Sequence, residues 1–160
     1  DYRGDYWTTW KKEEWDMEFN HDKVSTSGYG VLRGIHGDTK SWKLVTCLQG
    51  SLYFVLVDNR PTSDTYIMWE SLILDDKTRK QVLIPPGVGN GHLVMSDNCV
   101  FHYKFFHGSQ VCNGNDMFYI NEMKILKLLI SGRCDVTLII LALKGFPESD
   151  SLRYKQKRID

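Results

Sequence analysis

Between residues 23 and 106 the chain is cut into eight short runs rich in apolar residues, and most of the gaps hold Gly, Asn, Asp or Pro. The runs are KVSTS (23–27), YGVLRGIHG (29–37), KLVTCLQG (43–50), SLYFVLVDN (51–59), YIMWESLIL (66–74), KQVLIPPG (80–87), HLVMSD (92–97) and CVFHYKFF (99–106). Each has the length and residue types of a strand, and the gaps carry the punctuation of hairpins. That rhythm specifies an antiparallel sandwich or barrel. QGSLYFVLVDNR shows the unit clearly: Gly50 marks a turn, the apolar run crosses a core, and DNRPTSDT closes it with turn formers.

The flanks read differently. DYRGDYWTTW alternates aromatic and polar residues as an edge strand does, and KKEEWDMEF reads as a charged helical turn. After Asn121 the pattern blurs: EMKILKLLISGRCD fits an amphipathic helix or a strand, VTLIILAL (136–143) a buried strand, and LRYKQKRID an exposed tail. There are no internal repeats. A chain of 160 residues is expected to form one domain over its whole length.

Composition narrows the partners. Lys+Arg and Asp+Glu stand at 20 each, so no global basic field draws nucleic acid or an anionic membrane, and only a local phosphate site is left open. The apolar run at 136–143 is far short of the roughly 20 residues of a spanning helix. Cys47, Cys99, Cys112 and Cys134 are widely spaced with no CxxC pair, which argues for free thiols in a reducing compartment rather than a zinc site. No basic N-terminal segment leads into an apolar stretch, so a cytoplasmic location is expected. Five Trp within an aromatic share of 12% suit core packing or an aromatic-lined cavity equally well.

One stretch does more than a half-buried strand requires. VLRGIHGDTKSWKLV (31–45) holds an arginine, a histidine, an aspartate and two lysines between strand-like residues. Taken in order, DYRGDYW, VLRGIH, KLVTCLQGSLYFVLVDNR with SDTY, QVLIPPG, GHLVMSD and HYK resemble the nucleotide-sugar 3,5-epimerase family from Asp1 to about Lys104. The resemblance implies an all-β fold, an antiparallel jelly-roll cupin barrel with a few short helices. It also implies a homodimer sharing its N-terminal strand, and neither metal nor cofactor. The implied activity is inversion of C3, C5 or both in a nucleotide-linked 4-keto-6-deoxy sugar. The finer spelling RGIHGDTKSWKLV, with GNGHLVMSD where rhamnose-type enzymes carry AHGF, is similar to the branch acting on GDP-linked 4-keto heptoses in capsule and lipopolysaccharide pathways. A dTDP-linked hexose is the alternative.

The chemistry accounts for the residue types. A proton on a carbon beside a ketone leaves only if the enolate oxygen is stabilised, so a base is needed near the carbon and donors near the oxygen. His36 is read as the base, since an imidazole with an ordinary pKa near ~6.5 is largely neutral at working pH. Lys43 is read as the enolate stabiliser, a compact cation in a poorly screened cavity. Arg33 lies three residues before His36, on the opposite face of a regular strand. Gly34 between them permits a bulge that re-aims a side chain.

By the resemblance, Arg33, Arg3 and Arg60 grip the sugar nucleotide, the guanidinium fork suiting phosphate oxygens. Gln81, Asn90 and His92 line the sugar pocket, with Tyr103 among the substrate-binding residues. Family enzymes place a tyrosine general acid shortly after the YK pair. His107 stands about there, with Tyr103 and Tyr119 as alternatives. The carboxylate that orients the catalytic histidine is best matched by Asp135 in ISGRCD, with Asp160 the other candidate. His21 and His102 are read as structural. Metal-binding cupins carry an HxH pair, a Glu and a later His, whereas this motif offers only His36. Two other readings compete. One is a 3,4-ketoisomerase, disfavoured because Gly37 and Asp38 follow His36 where that group has HAHK. The other is a catalytically silent cupin that binds nucleotide sugars.

Overall fold

A computed structural model of the chain describes residues 2–15, 17–107 and 114–120. A short helix, α1 (Lys12–Trp15), precedes eight strands: β1 (His21–Gly28), β2 (Leu32–Asp38), β3 (Ser41–Gln49), β4 (Ser51–Asp58), β5 (Trp69–Asp75), β6 (Gln81–Ile84), β7 (Val88–Val94) and β8 (Asn98–His107). A 3-10 turn (Gly114–Asp116) and β9 (Met117–Tyr119) follow. Two antiparallel sheets result, one in the order β1-β8-β3-β6 and the other β5-β4-β7-β2-β9. The interleaving of early and late strands in each sheet is that of a jelly roll, so the expected all-β class holds.

The two inner faces follow from strand alternation. Cys47, Val45, Lys43 and Ser41 of β3 point inward, in register with Phe101, Tyr103, Phe105 and His107 of β8. Opposite them, Leu52, Phe54 and Leu56 of β4 share a face with Val94, His92 and Asn90 of β7. Read along β3, β7 or β8, the inward side chains pass from apolar to polar. One end of the barrel is therefore a dry core of Val45, Cys47, Leu52, Phe54, Leu74, Val94, Cys99 and Phe101. The other end is polar, and it is there that the residues of the 31–45 stretch gather. Cys47 and Cys99 are free thiols in the dry end, their sulfurs 3.8 Å apart.

Each of the eight runs yields one strand with shifted ends, and two of the shifts have a plain physical cause. β5 begins at Trp69 because Tyr66–Met68 form a turn with Ile67 at a φ of 66°. β7 begins at Val88, four residues ahead of the HLVMSD run, and so takes VGNG into the strand. Those glycines read as a turn, yet they are there for close approach. A Cβ on Gly91 would lie 2.8 Å from the Arg33 carbonyl oxygen and 2.9 Å from Ile35 Cγ1, and one on Gly89 would lie 2.9 Å from Ile35 Cγ2.

DYRGDYWTTW is not an edge strand. Its contacts are side-chain ones: Arg79 bonds Asp5 at 2.5 Å and stacks over Trp7, Gln81 Nε2 donates to the Thr9 carbonyl at 2.6 Å, and Lys104 sits over Trp10. The segment thus lies on the outer side of the first sheet without joining its ladder, and Tyr2 and Tyr6 are almost fully exposed. The helical turn expected in KKEEWDMEF is α1. The segments expected after Asn121 lie outside the described residues.

Gly91→Ala should destabilise the domain by roughly 1–3 kcal/mol through overpacking against β2. Urea unfolding checks this, and an unchanged midpoint would contradict the packing described.

Candidate functional site

The bulge at Gly34 is present. Arg33 pairs with His92 and His36 with Asn90, so three steps on β2 match two on β7. Asn90 and His92 are two apart and share a face, and the slip therefore brings Arg33 and His36 onto that face together. Arg33 reaches over to the Ser27 hydroxyl at 3.0 Å at the rim. His36 Nδ1 lies 2.9 Å from the Gly34 carbonyl oxygen. A carbonyl only accepts, so Nδ1 carries the proton and Nε2 keeps its lone pair. Burial is the main influence lowering the His36 pKa below its ordinary 6.5; the Gly34 bond opposes it, while the charges of Lys43 and Arg33 add to it. His36 is neutral near pH 7, with its free nitrogen unprotonated.

β2 ends in a turn that carries the chain from one sheet to the other. Asp38 Oδ1 accepts the backbone N–H of Lys40 at 3.0 Å and of Ser41 at 2.6 Å, an Asx turn written in the sequence as DTKS. Lys43 Nζ lies 3.4 Å from Asp38 Oδ2, and these two side chains are only 6% and 3% exposed. Burial works against ionisation of Asp38, but the Ser41 and Lys40 hydrogen bonds and the Lys43 charge outweigh it and hold the carboxyl below its ordinary range. Lys43 also faces the Phe105 ring. Beyond it, Ser41 Oγ meets His107 Nδ1 at 2.7 Å. Asp38 and Ser41 were not picked out by sequence; the turn signature in DTKS is the signal that marks them.

Two buried side chains in β7 have polar atoms that no described residue satisfies: Asn90 Nδ2 and His92 Nδ1. Both residues face the interior beside His36, and such orphans among polar neighbours fit groups that a ligand completes. His92 packs on Phe101, and burial, helped by the Arg33 and His36 charges, lowers its pKa to about 4. Tyr119 of β9 stands opposite His36, ring centroids 6.3 Å apart, and is half exposed. Tyr103 lies in the aromatic ladder between Phe101 and Phe105.

The other named residues lie elsewhere. Arg60 closes a fork on Asp58, Nε to Oδ1 at 2.9 Å and Nη2 to Oδ2 at 2.7 Å, with Ser63 and Thr65 bonding the same carboxylate. Gln81 pairs with Thr46 on the outer side of the first sheet and holds the N-terminal segment. Arg3 is exposed beside Tyr2. Asp135 and Asp160 lie outside the described residues. Among the described residues no group of three or more His, Cys, Asp or Glu is arranged to hold a metal, and no helix is long and apolar enough to cross a membrane.

The sequence profile of the dTDP-4-dehydrorhamnose 3,5-epimerase family matches residues 1–116. A dTDP-4-dehydrorhamnose 3,5-epimerase of Methanothermobacter thermautotrophicus is 40% identical over 91 residues, covering 56% of this chain and 49% of that protein. A dTDP-4-dehydrorhamnose 3-epimerase of Streptomyces niveus is 40% identical over 83 residues, covering 50% of this chain and 40% of that protein. The chain thus spans about half the length of the curated relatives it matches. A dTDP-6-deoxy-D-glucose-3,5-epimerase of Legionella pneumophila, solved in complex with dTDP-4-keto-L-rhamnose, is similar with a TM-score of 0.69. Its identity is 30%, covering 76% of this chain and 67% of that one.

The buried neutral His92 makes stability depend on pH. Its folded pKa is depressed, so between pH 6.5 and about 4 the unfolded chain binds a proton that the folded chain refuses. The folded state keeps its full stability above 6.5 and loses up to about 3 kcal/mol as pH falls through that window. His92→Leu should flatten this slope in unfolding experiments at pH 4.5 and 7.5; an unaltered slope would reject the assignment.

Proposed function

Because the chain belongs to the dTDP-4-dehydrorhamnose 3,5-epimerase family, we propose that it is a cofactor-independent epimerase of nucleotide-linked 4-keto-6-deoxy sugars. It removes the proton beside the ketone and returns one to the opposite face. The observation that carries this is the fixed tautomer of His36: Nδ1–H spent on Gly34, Nε2 free, and a buried lysine on the next strand.

In this reading His36 Nε2 takes the carbon-bound proton. Lys43 faces the developing enolate oxygen, where low exposure makes its charge count for more than it would in water. Asn90 supplies an amide donor and His92 a ring nitrogen to the sugar's oxygens, filling the two unsatisfied positions. Arg33, at the rim, meets the diphosphate. His107, beyond Lys43, returns the proton, and Tyr119 is the alternative donor because it already faces His36. Gln81 stays on the outer face, where it holds the N-terminal segment, and Arg3, within that segment, enters the site only through a homodimer that exchanges it.

The nucleotide is dTDP or GDP. Relatives named for dTDP sugars favour the first, and the spelling of the 33–45 stretch favours a GDP-linked heptose of capsule or lipopolysaccharide synthesis. Both substrates belong in the test.

His36→Asn should cut exchange of the sugar's C3 and C5 protons with solvent at least 10³-fold while leaving binding of the nucleotide intact, consistent with the ~10²–10⁴ that proton transfer contributes. Undiminished exchange would sink the assignment. Lys43→Met should lower kcat by roughly 10²–10³. For the unsubstituted protein, the acid limb of kcat/KM should fall below pH 6.5, since the base is depressed from that value; a limb above 6.5 would show that another group is the base.

A further inference from the structure

We propose that Ser41 is a positioning residue for His107, holding its ring at Nδ1 so that His107 presents Nε2–H to the sugar as the second proton carrier. The inference rests on the epimerase reading above and deepens it. Ser41 sits on β3 directly opposite His107 on β8, is itself buried, and places Oγ 2.7 Å from His107 Nδ1. Its backbone N–H donates to Asp38 Oδ1 at 2.6 Å, which fixes the start of β3 beside His107.

A hydroxyl that meets an imidazole nitrogen can only accept from it when the ring is charged, so imidazolium Nδ1–H donates to Ser41 Oγ. Nε2–H is then the one proton His107 has free to give. On transfer, the Nε2–H bond breaks and a C–H bond forms at the enolate carbon. The enolate's electron pair becomes the new bond, the ketone is restored, and His107 is left neutral with Nδ1–H still on Ser41. The proton taken by His36 is a different one, and both rings return to their starting states by exchange with water.

The surroundings suit a donor. Burial lowers the His107 pKa first of all; Asp38 works against this, while His21 and Lys23 of β1 and Lys43 of β3 add to it. The result is an imidazolium more acidic than an ordinary histidine's, which gives up its proton readily. Asn20 Nδ2 donates to the His107 carbonyl at 3.2 Å and fixes the backbone. His36 and His107 thus share a plan. Each spends Nδ1 on a neighbour within its own sheet and keeps Nε2 for substrate, and the Lys43 charge acts on both.

The test compares Ser41→Ala, Ser41→Thr and His107→Asn with the unsubstituted protein. Nitrogen-15 NMR follows the His107 tautomer and titration, and proton NMR in deuterated water follows exchange on dTDP-4-keto-6-deoxyglucose and its GDP-linked counterpart. Ser41→Ala should lose the Nδ1–H tautomer preference and move the His107 titration further down. It should lower kcat about tenfold with KM little changed, and Ser41→Thr should restore all three. A His107 titration and tautomer untouched by Ser41→Ala would overturn the inference. So would equal loss in the Ala and Thr variants. If the ring responds to Ser41 but His107→Asn epimerises at full rate, His107 is not the second carrier and the proposal fails, although the epimerase reading stands. If no variant, nor the unsubstituted protein, exchanges either sugar, the epimerase reading itself falls, and with it the role given to Ser41.

Discussion

The carboxylate of Asp38 is the point from which the polar end of this barrel is built. It accepts two backbone N–H groups to form the turn between the sheets, faces Lys43 across that turn, and through Ser41 reaches His107. A buried charge of this kind is tolerable only when its partners are complete, and removing the lysine or the turn bonds would leave it uncompensated at a cost of about 3–5 kcal/mol. The same arrangement anchors a cation beside the proposed base. Structure and chemistry depend on one side chain, which is why the stretch from Val31 to Val45 is so dense in charge.

The rest of the fold supplies contrast. Along β3, β7 and β8 the inward residues run from Cys47, Val94 and Phe101 toward Lys43, Asn90 and His107, so the barrel is a dry plug at one end and polar at the other. The plug holds the strands in register. The polar end inherits that rigidity, because its side chains stand on the same strands. The bulge at Gly34 is the one local departure, and it sets both the His36 tautomer and the placing of Arg33.

Much of this was legible in the chain. Eight punctuated runs became β1 to β8 because alternation and turn chemistry are local, and Gly34 announced its bulge for the same reason. What local pattern misses is close approach across the sheet. Gly89 and Gly91 read as a turn yet lie inside β7, because Ile35 and the Arg33 backbone occupy the space their side chains would need. Likewise Arg60 and Gln81 carry the residue types of a phosphate or sugar contact, but sequence does not reveal that Asp58 fills the arginine fork or that Gln81 faces outward to the N-terminal segment. The roles of Asp38 and Ser41 needed β8 alongside β3, a pairing of residues 66 apart.

The measurement that reaches the central claim most directly is the fate of the abstracted proton. In deuterated water, with 4-keto-6-deoxy sugar nucleotide carrying protium at C3 and C5, two separate carriers deliver solvent deuterium to every inverted carbon from the first turnover. Product formed with one deuterium per inverted centre and no retained protium is the predicted result. Inverted product that keeps its original proton would mean that a single group removes and returns it, and would contradict the account of two histidines, one from each sheet, as separate carriers.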